Sequence, residues 1–169
     1  MKWFHVGVRG VLSFLQLHRS NVDALGGLTI AASQQHLLAP NSEWIAQAAF
    51  NPESITFGVF QDHDQKEVGM ISLIDPRLVH EEEDLEHFQQ GCLYVWRLMI
   101  ADKFQGKGYG KLSIEFAQAY AKAIGLGGVS LTTMDKEKDN ALPFYQRLGF
   151  QPTGRRLDDE IELIWRQTG

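Results

Sequence analysis

The stretch that decides the fold is Gln105-Gly106-Lys107-Gly108-Tyr109-Gly110-Lys111, a loop with three glycines and two lysines. It follows residues 93–100, an apolar run that is typical of a strand covered on both faces. It precedes residues 111–124, where apolar side chains recur at every fourth position and predict a helix. The free N–H groups and the positive dipole end of that helix would face the glycines, so the segment predicts an anion site between a strand and a helix.

Two common phosphate-binding patterns do not fit this loop. A Walker loop needs a hydroxyl residue after its lysine, but Leu112 follows Lys111. A dinucleotide fingerprint needs a third glycine at a spacing that the loop lacks. Asp135 follows the next strand, where such a fold has its ribose-binding acid, but only about 35 residues remain after it to complete a dinucleotide-binding sheet. A glycine-rich turn without a ligand is the plain alternative, and the two lysines count against it.

The elements around the loop alternate in a regular order. We expect a strand at residues 3–8, a helix at 11–19, a short helix from Asn41, a hairpin of strands at 55–60 and 68–74, a strand at 129–134, a helix from Asp139 or Asn140 to Leu148, and a closing hairpin that ends with residues 160–166. Hairpins thus come first and a β-α-β unit lies in the centre. The order predicts an α/β fold with a mixed sheet.

Composition excludes several classes of protein. The 169 residues, of which 44% are hydrophobic, predict one globular domain over residues 1–169. A net charge of −5 makes a nucleic-acid partner a poor fit. Cys92 is the single cysteine and is expected to be a core thiol, and the histidines lack the spacing of a metal site. We find no targeting or membrane-spanning stretch, so we expect a cytoplasmic protein without a membrane partner.

The pattern Q-x-x-G-x-G at residues 105–110, together with Phe144-Tyr145-Gln146-Arg147-Leu148-Gly149-Phe150, closely resembles the GCN5-related N-acetyltransferase (GNAT) superfamily. The run Leu98-Met99-Ile100 and the element order from residue 55 also match. Residues 35–48 and 96–100 are similar to its spermine/spermidine acetyltransferase-like subgroup. The resemblance implies a mostly antiparallel twisted sheet (α/β, or α+β in some schemes) with helices on both faces. It also implies acetyl-CoA-dependent N-acetylation without a metal.

The resemblance assigns a cofactor site to the loop and the strand before it. Backbone amides of the loop would hold the pyrophosphate of acetyl-CoA, and the strand edge at Met99 and Ile100 would pair with the pantetheine arm and polarise the thioester carbonyl. Lys138 stands where the family commonly has asparagine, so it either contacts phosphate or is solvated. The implied cofactor-binding residues are Met99, Ile100, Gln105, Gly106, Lys107, Gly108, Tyr109, Gly110, Lys111, Lys138 and Asn140.

Tyr145 matches the tyrosine that hydrogen-bonds the sulfur of CoA in the family, and a phenol can supply a proton to a departing thiolate. Its alternative role is that of a core aromatic beside Phe144 and Phe150. The general base stays open, because residues 93–100 contain no acid. Tyr94, or ordered water leading from an acidic segment, could serve.

That acidic segment is residues 80–87, which hold five acids and no Lys or Arg. A solvated loop is its usual meaning. The alternative is that Glu82, Glu83 and Asp84 attract a cationic substrate, with Trp96 lining the acceptor pocket or filling the core. We therefore expect a polyamine or another small cationic amine as acceptor. The resemblance also suggests a homodimer, which is common in the family. A protein, peptide or antibiotic amine, a CoA-binding regulatory module without activity, and least of all a nucleotide-binding module are the alternatives.

Overall fold

The computed structural model describes residues 11–80 and 88–167. In this part of the chain the strands are β1 Leu12–Gln16, β2 Ser54–Gln61, β3 Glu67–Ile74, β4 Cys92–Ile100, β5 Gly128–Met134, β6 Gln151–Leu157 and β7 Glu160–Arg166. The α-helices are α1 Val22–Gly26, α2 Asn41–Ala49, α3 Tyr109–Ala123 and α4 Leu142–Arg147, and short 3-10 turns span Ala32–Leu37, Pro76–Leu78 and Asp102–Phe104. None of the described helices combines the length and the apolar character needed to cross a membrane.

The seven strands form one sheet in the order β1-β2-β3-β4-β5-β7-β6. β4 and β5 run parallel, joined by α3, and the other neighbouring pairs are antiparallel. The predicted mixed, mostly antiparallel sheet with a central β-α-β unit is therefore confirmed. The sheet order puts the glycine-rich loop, which precedes α3, at the end of the central strand.

Helices cover both faces of this sheet. Phe116 of α3 stacks on Phe14 of β1, with ring centroids 4.0 Å apart, and meets Phe57 of β2 edge-on at 5.0 Å. On β2 the next residue, Gly58, lies directly against Leu25 of α1. Because successive residues of a strand point to opposite faces, α3 and α1 lie on opposite sides of the sheet, as the resemblance implies.

The predicted helix at residues 11–19 is wrong. Its residues Leu12–Gln16 form β1, which pairs antiparallel with β2. Leu12 and Phe14 are buried, and their spacing of two is that of one face of a strand, while the spacing of three between Leu12 and Leu15 also fits a helix. Pairing with the edge of β2 and the stack on Phe116 decide the outcome, and neither is visible in a local window. The strand predicted at residues 3–8 lies outside the described residues.

The other predicted elements are confirmed within a few residues. The helix expected from Asp139 or Asn140 begins at Leu142, and the side-chain oxygen of Asn140 accepts a hydrogen bond from the Leu142 N–H at 2.9 Å. Asn41 opens α2 but does not cap it, since its buried side chain donates to the Leu25 carbonyl at 2.9 Å. That bond fixes α2 against α1.

Candidate active site

The central feature of the site is the divergence of β4 and β5. The two strands pair at Cys92, Leu93 and Tyr94, and β5 has no further partner on β4. On the other side of β4, Ser72 pairs with Arg97 and Leu73 with Val95, so Trp96 forms a bulge. The gap that opens beyond Tyr94 is a cavity of about 550 Å³. β4 and β5 therefore diverge and leave space between them.

Most of the predicted site residues line this cavity. They are Trp96, Met99, Ile100, Gln105, Gly106, Gly108, Tyr109, Gly110, Lys111, Asn140 and Tyr145. Lys107 and Lys138 are exposed and do not line it. The predicted substrate residues Glu82, Glu83 and Asp84 lie outside the described residues.

The glycine-rich loop presents a row of free backbone amides. Gly106 and Gly108 have φ angles of +73° and +82°, a region that glycine enters without strain. Within the described chain, the N–H groups of residues 106–111 have no hydrogen-bond acceptor. The side chain of Gln105 donates to the Ile100 carbonyl at 3.0 Å and to Gln34 at 2.8 Å, which fixes the loop to the end of β4. Such an array can bind an anion.

The two lysines of the loop have different positions relative to the cavity. The ammonium group of Lys107 lies 5.2 Å from the centroid of the Phe104 ring, and those of Lys103 and Lys66 lie 5.3 Å and 5.9 Å from it. Lys111 lines the cavity and pairs with Glu115 at 3.7 Å along α3. Together these cations give the loop region a positive potential. Lys107 contributes to it although its side chain does not line the cavity.

Tyr109 has a structural partner of its own. Its hydroxyl accepts a hydrogen bond from the Gln61 side chain at 2.8 Å, which ties the start of α3 to the end of β2. The ring is almost fully buried, and only part of it faces the cavity. The hydroxyl of this predicted cofactor residue therefore serves the fold.

We expect Tyr109→Phe to lower the free energy of unfolding by about 1 kcal/mol, the net contribution of one such hydrogen bond. Urea denaturation of the variant and the parent protein measures the difference. Gln61→Leu removes the same bond from its other end, so the two losses should not add in the double variant. Additive losses would show that the bond does not form.

Tyr145 is a buried phenol in the wall of the cavity. It is 9% exposed and is packed edge-on against Phe144 and Phe150, with ring centroids 5.0 Å and 5.8 Å away. Burial, and secondly the negative charge of Glu160, raise the pKa of Tyr145 well above its ordinary value of 10. The phenol is therefore protonated at neutral pH and can donate a proton or a hydrogen bond. The ring packs in the core and also lines the cavity, and the role of Tyr145 as an acid stays a prediction.

Glu160 is a cavity residue that sequence reasoning missed. It opens β7 and lines the cavity beside Thr132, whose hydroxyl donates to its carboxylate. The Thr132 hydroxyl also lies 3.0 Å from that of Tyr94. In the sequence, Glu160 is one more acid after a turn, and only the pairing of β7 with β5 brings it to the gap.

Arg97 is the second residue that the sequence did not single out. Its guanidinium lies over the Trp96 ring at 4.8 Å and donates to the Gln47 side chain at 2.6 Å. Its other terminal nitrogen is buried and has no partner among the described residues. Burial lowers the pKa of Arg97, and the charge of Glu43 opposes this shift. The cavity wall therefore holds a cation as well as an anion.

Asn140 and Lys138 lie on the connection from β5 to α4. The Asn140 side chain donates to the Glu137 carbonyl at 2.6 Å and thereby closes this connection. Asn140 therefore borders the cavity with a side chain already engaged by the backbone. In the described residues, no group of three or more His, Cys, Asp and Glu side chains is placed to hold a metal ion.

Comparison with known proteins identifies the family. The profile of the acetyltransferase (GNAT) family matches residues 19–150. An uncharacterised N-acetyltransferase of Halalkalibacterium halodurans is 24% identical over 83 residues, which are 47% of this chain and 44% of that protein. The chain thus matches less than half the length of this curated relative.

Solved structures share the fold at low identity. Spermidine N-acetyltransferase from Vibrio cholerae, in complex with CoA and spermine, has a TM-score of 0.66 and 18% identity, over 92% of this chain and 95% of that one. The KacTA–DNA complex has a TM-score of 0.62 and 16% identity over 92% of each chain. Proteins of this fold thus have different partners, and these likenesses show the fold alone. The profile match over most of the chain shows more: the protein belongs to the acetyltransferase (GNAT) family, a family of N-acetyltransferases whose acyl donor is acetyl-CoA.

Proposed function

We propose that this protein transfers the acetyl group of acetyl-CoA directly to a primary amine, and that the acceptor is a polyamine or another small cationic amine. The observation that carries the proposal is the cavity between β4 and β5, which has free amides at one end and Tyr145 and Glu160 in its wall. An anionic donor and a cationic acceptor can both bind there.

The residues of the cavity fit a CoA thioester. The amides of residues 106–111 would bind the pyrophosphate, with the positive end of α3 behind them. The edge of β4 that faces β5 has no strand partner beyond Tyr94, so the backbone groups on that edge, at Leu98 and Ile100, can pair with the amides of the pantetheine arm. The backbone groups of Met99 face the other way, toward Met70 of β3. A backbone N–H on the edge that faces β5 would bind the thioester oxygen, where negative charge develops during the transfer.

Tyr145 supplies the proton for the leaving thiolate. Its phenol is protonated at neutral pH and lies in the wall of the cavity. Proton transfer from a positioned phenol avoids release of a free thiolate, which is the less stable leaving group. Direct transfer to the amine then needs no covalent acetyl-enzyme.

Three features support a cationic acceptor. Glu160 gives the cavity a carboxylate, and residues 80–87, with Glu82, Glu83 and Asp84, concentrate five acids immediately before the segment that leads into β4. A protein of the same fold from Vibrio cholerae was solved with spermine. Clustered acids raise the local concentration of cationic ligands, and salt screens this attraction.

Arg97 favours a second candidate acceptor. Its buried, unpartnered nitrogen in the cavity wall could bind a carboxylate or a peptide carbonyl. The acceptor would then be an amino acid or the amine of a peptide, with its amine near Glu160 and its oxygen near Arg97.

Release of CoA thiol from acetyl-CoA, followed across polyamines, amino acids and peptides, tests the acceptor class. We expect saturable release with spermidine or spermine, and a KM for these amines that rises several-fold between low and physiological salt. Neutralising Glu82, Glu83 and Asp84 together should raise that KM and flatten its salt dependence.

The matched variant is Arg97→Gln, which removes a cation instead of anions. It should leave the KM for polyamines unchanged. A preference for amino acids or peptides that disappears in Arg97→Gln would support the second candidate and refute the polyamine. Binding of CoA without release with any amine would favour the regulatory module.

The single-domain organisation, the cytoplasmic location, the homodimer and the lack of a nucleic-acid partner stay predictions. Gel filtration coupled to light scattering measures the state of association, and the same column reports any change on addition of DNA.

A further inference from the structure

Glu160 has a defined place in the cavity wall. Its backbone pairs with Met134 of β5, and its side chain reaches diagonally to Thr132, two residues away on the same face of the sheet. The Thr132 hydroxyl is in turn 3.0 Å from the hydroxyl of Tyr94 on β4. Thr132 of β5 thus connects Tyr94 of β4 with the carboxylate of Glu160, which borders the gap beyond Tyr94.

The charge of this carboxylate is not neutralised by an ion pair among the described residues. Arg156 lies on the neighbouring β6, but its guanidinium binds Asp135 at 2.9 Å and 3.0 Å and the Asp159 carbonyl at 2.9 Å. Tyr94 is connected to Glu160 through Thr132, and the charge of Glu160 contributes to the raised pKa of Tyr145. Arg97, Lys111, Asp139 and Arg147 are the other charged residues that line the same cavity. A negative group with one hydrogen-bond donor therefore borders the same cavity as a protonated phenol.

We propose that Glu160 binds the attacking nitrogen of the acceptor and takes its proton as the new C–N bond forms. The inference rests on the proposed function and deepens it, because it names the base that the sequence left open. Thr132 acts as a positioning residue, since its hydroxyl orients the carboxylate.

The proton balance closes with the residues of the cavity. The acceptor ammonium loses one proton to water on binding, and its lone pair attacks the thioester carbonyl carbon. The nitrogen becomes acidic when the C–N bond forms, so the Glu160 carboxylate can take a second proton from it. The C–S bond breaks, and the sulfur takes the proton of Tyr145. Glu160 then gives its proton to water and Tyr145 takes one from water, which restores both groups.

Three variants separate this role from a structural one. Glu160→Gln keeps the shape and an oxygen for Thr132, and we expect kcat with spermidine to fall about 100-fold. The kcat of Glu160→Ala should fall as far. Added formate should raise that kcat at least tenfold, because the space left by the side chain admits a small carboxylate. Formate should not restore Glu160→Gln, whose side chain fills that space. Asp158→Asn is the matched control, since it removes a carboxylate from the exposed turn of the same hairpin, and should keep the parent rate.

Binding in the absence of acetyl-CoA gives a second readout. Calorimetry should show spermidine binding to Glu160→Gln about tenfold more weakly than to the parent, with an unchanged Kd for CoA. Thr132→Val should lower kcat several-fold without changing the KM for acetyl-CoA. Thr132→Ser keeps the hydroxyl and should restore kcat.

The outcomes separate the two proposals. If the parent protein acetylates no amine, the proposed function fails, and the role of Glu160 fails with it. If the parent is active and Glu160→Gln keeps more than a third of its kcat, or formate does nothing for Glu160→Ala, only the role of Glu160 is overturned.

Discussion

Replacing Tyr145 with phenylalanine is expected to lower kcat about 100-fold while leaving the Kd for CoA unchanged. The phenol lies in the cavity wall and stays protonated because burial and the charge of Glu160 raise its pKa. Loss of a general acid costs 10²- to 10⁴-fold, and we expect the lower value because water can still protonate the thiolate. Stopped-flow detection of free thiol measures the transfer step.

The pH dependence gives a second check on Tyr145. A general acid limits the rate only at pH values above its pKa, and the pKa of Tyr145 is raised well above 10. The parent kcat should therefore show no fall that is due to this phenol between pH 7 and 10. Such a fall, abolished by Tyr145→Phe, would contradict the raised pKa.

The matched control is Tyr120→Phe. Tyr120 is a half-buried phenol on α3 whose pKa is also raised by burial, and it does not line the cavity. We expect it to keep the parent kcat. If both variants lose activity alike, the loss arises from the fold. If Tyr145→Phe keeps full turnover, another group protonates the thiolate.

The glycine-rich loop, which we propose as the donor side of the site, could be predicted because its determinants are local. Gly106, Gly108 and the start of α3 lie within a few residues of one another, and glycine conformation and helix polarity decide what such a loop can do. Charge was the weaker guide: Lys107 lies against Phe104 and Lys138 lies outside the cavity. Long, flexible side chains do not have positions that spacing alone can specify.

Glu160 and Arg97, which we propose as the acceptor side, could not be predicted because long-range contacts bring them to the cavity. Glu160 reaches the gap only through the pairing of β7 with β5, and Arg97 contacts Gln47, which lies 50 residues earlier in the chain. The prediction for the segment of β1 was wrong for the same reason, because its partner strand, β2, begins 38 residues after β1 ends. A local pattern determines whether a segment is a helix or a strand when the pattern repeats over many residues, as it does in α3. For a short segment such as β1, pairing within the sheet determines the structure.

Replacing Gly108 with valine is expected to raise the KM for acetyl-CoA roughly 30-fold, as the loss of about two hydrogen bonds would. Gly108 precedes α3 with φ at +82°, and a β-branched residue there is strained by about 1–2 kcal/mol. The loop can relieve the strain only by rotating its peptides, which turns the free N–H groups of residues 106–111 away from the bound pyrophosphate. Initial rates at varied acetyl-CoA concentration measure the change.

S-acetylpantetheine shows which part of the donor the loop binds, because it has the same thioester and arm but lacks the pyrophosphate. Its KM should be the same for Gly108→Val and the parent. The matched control is Gly125→Val, at the other end of α3, where φ is +80° and no atom lies within 4 Å of an added Cβ. It carries the same backbone strain, so it should lose similar stability and keep the KM for acetyl-CoA. An equal rise in KM for both donors would mean that the loop shapes the cavity and does not bind the pyrophosphate.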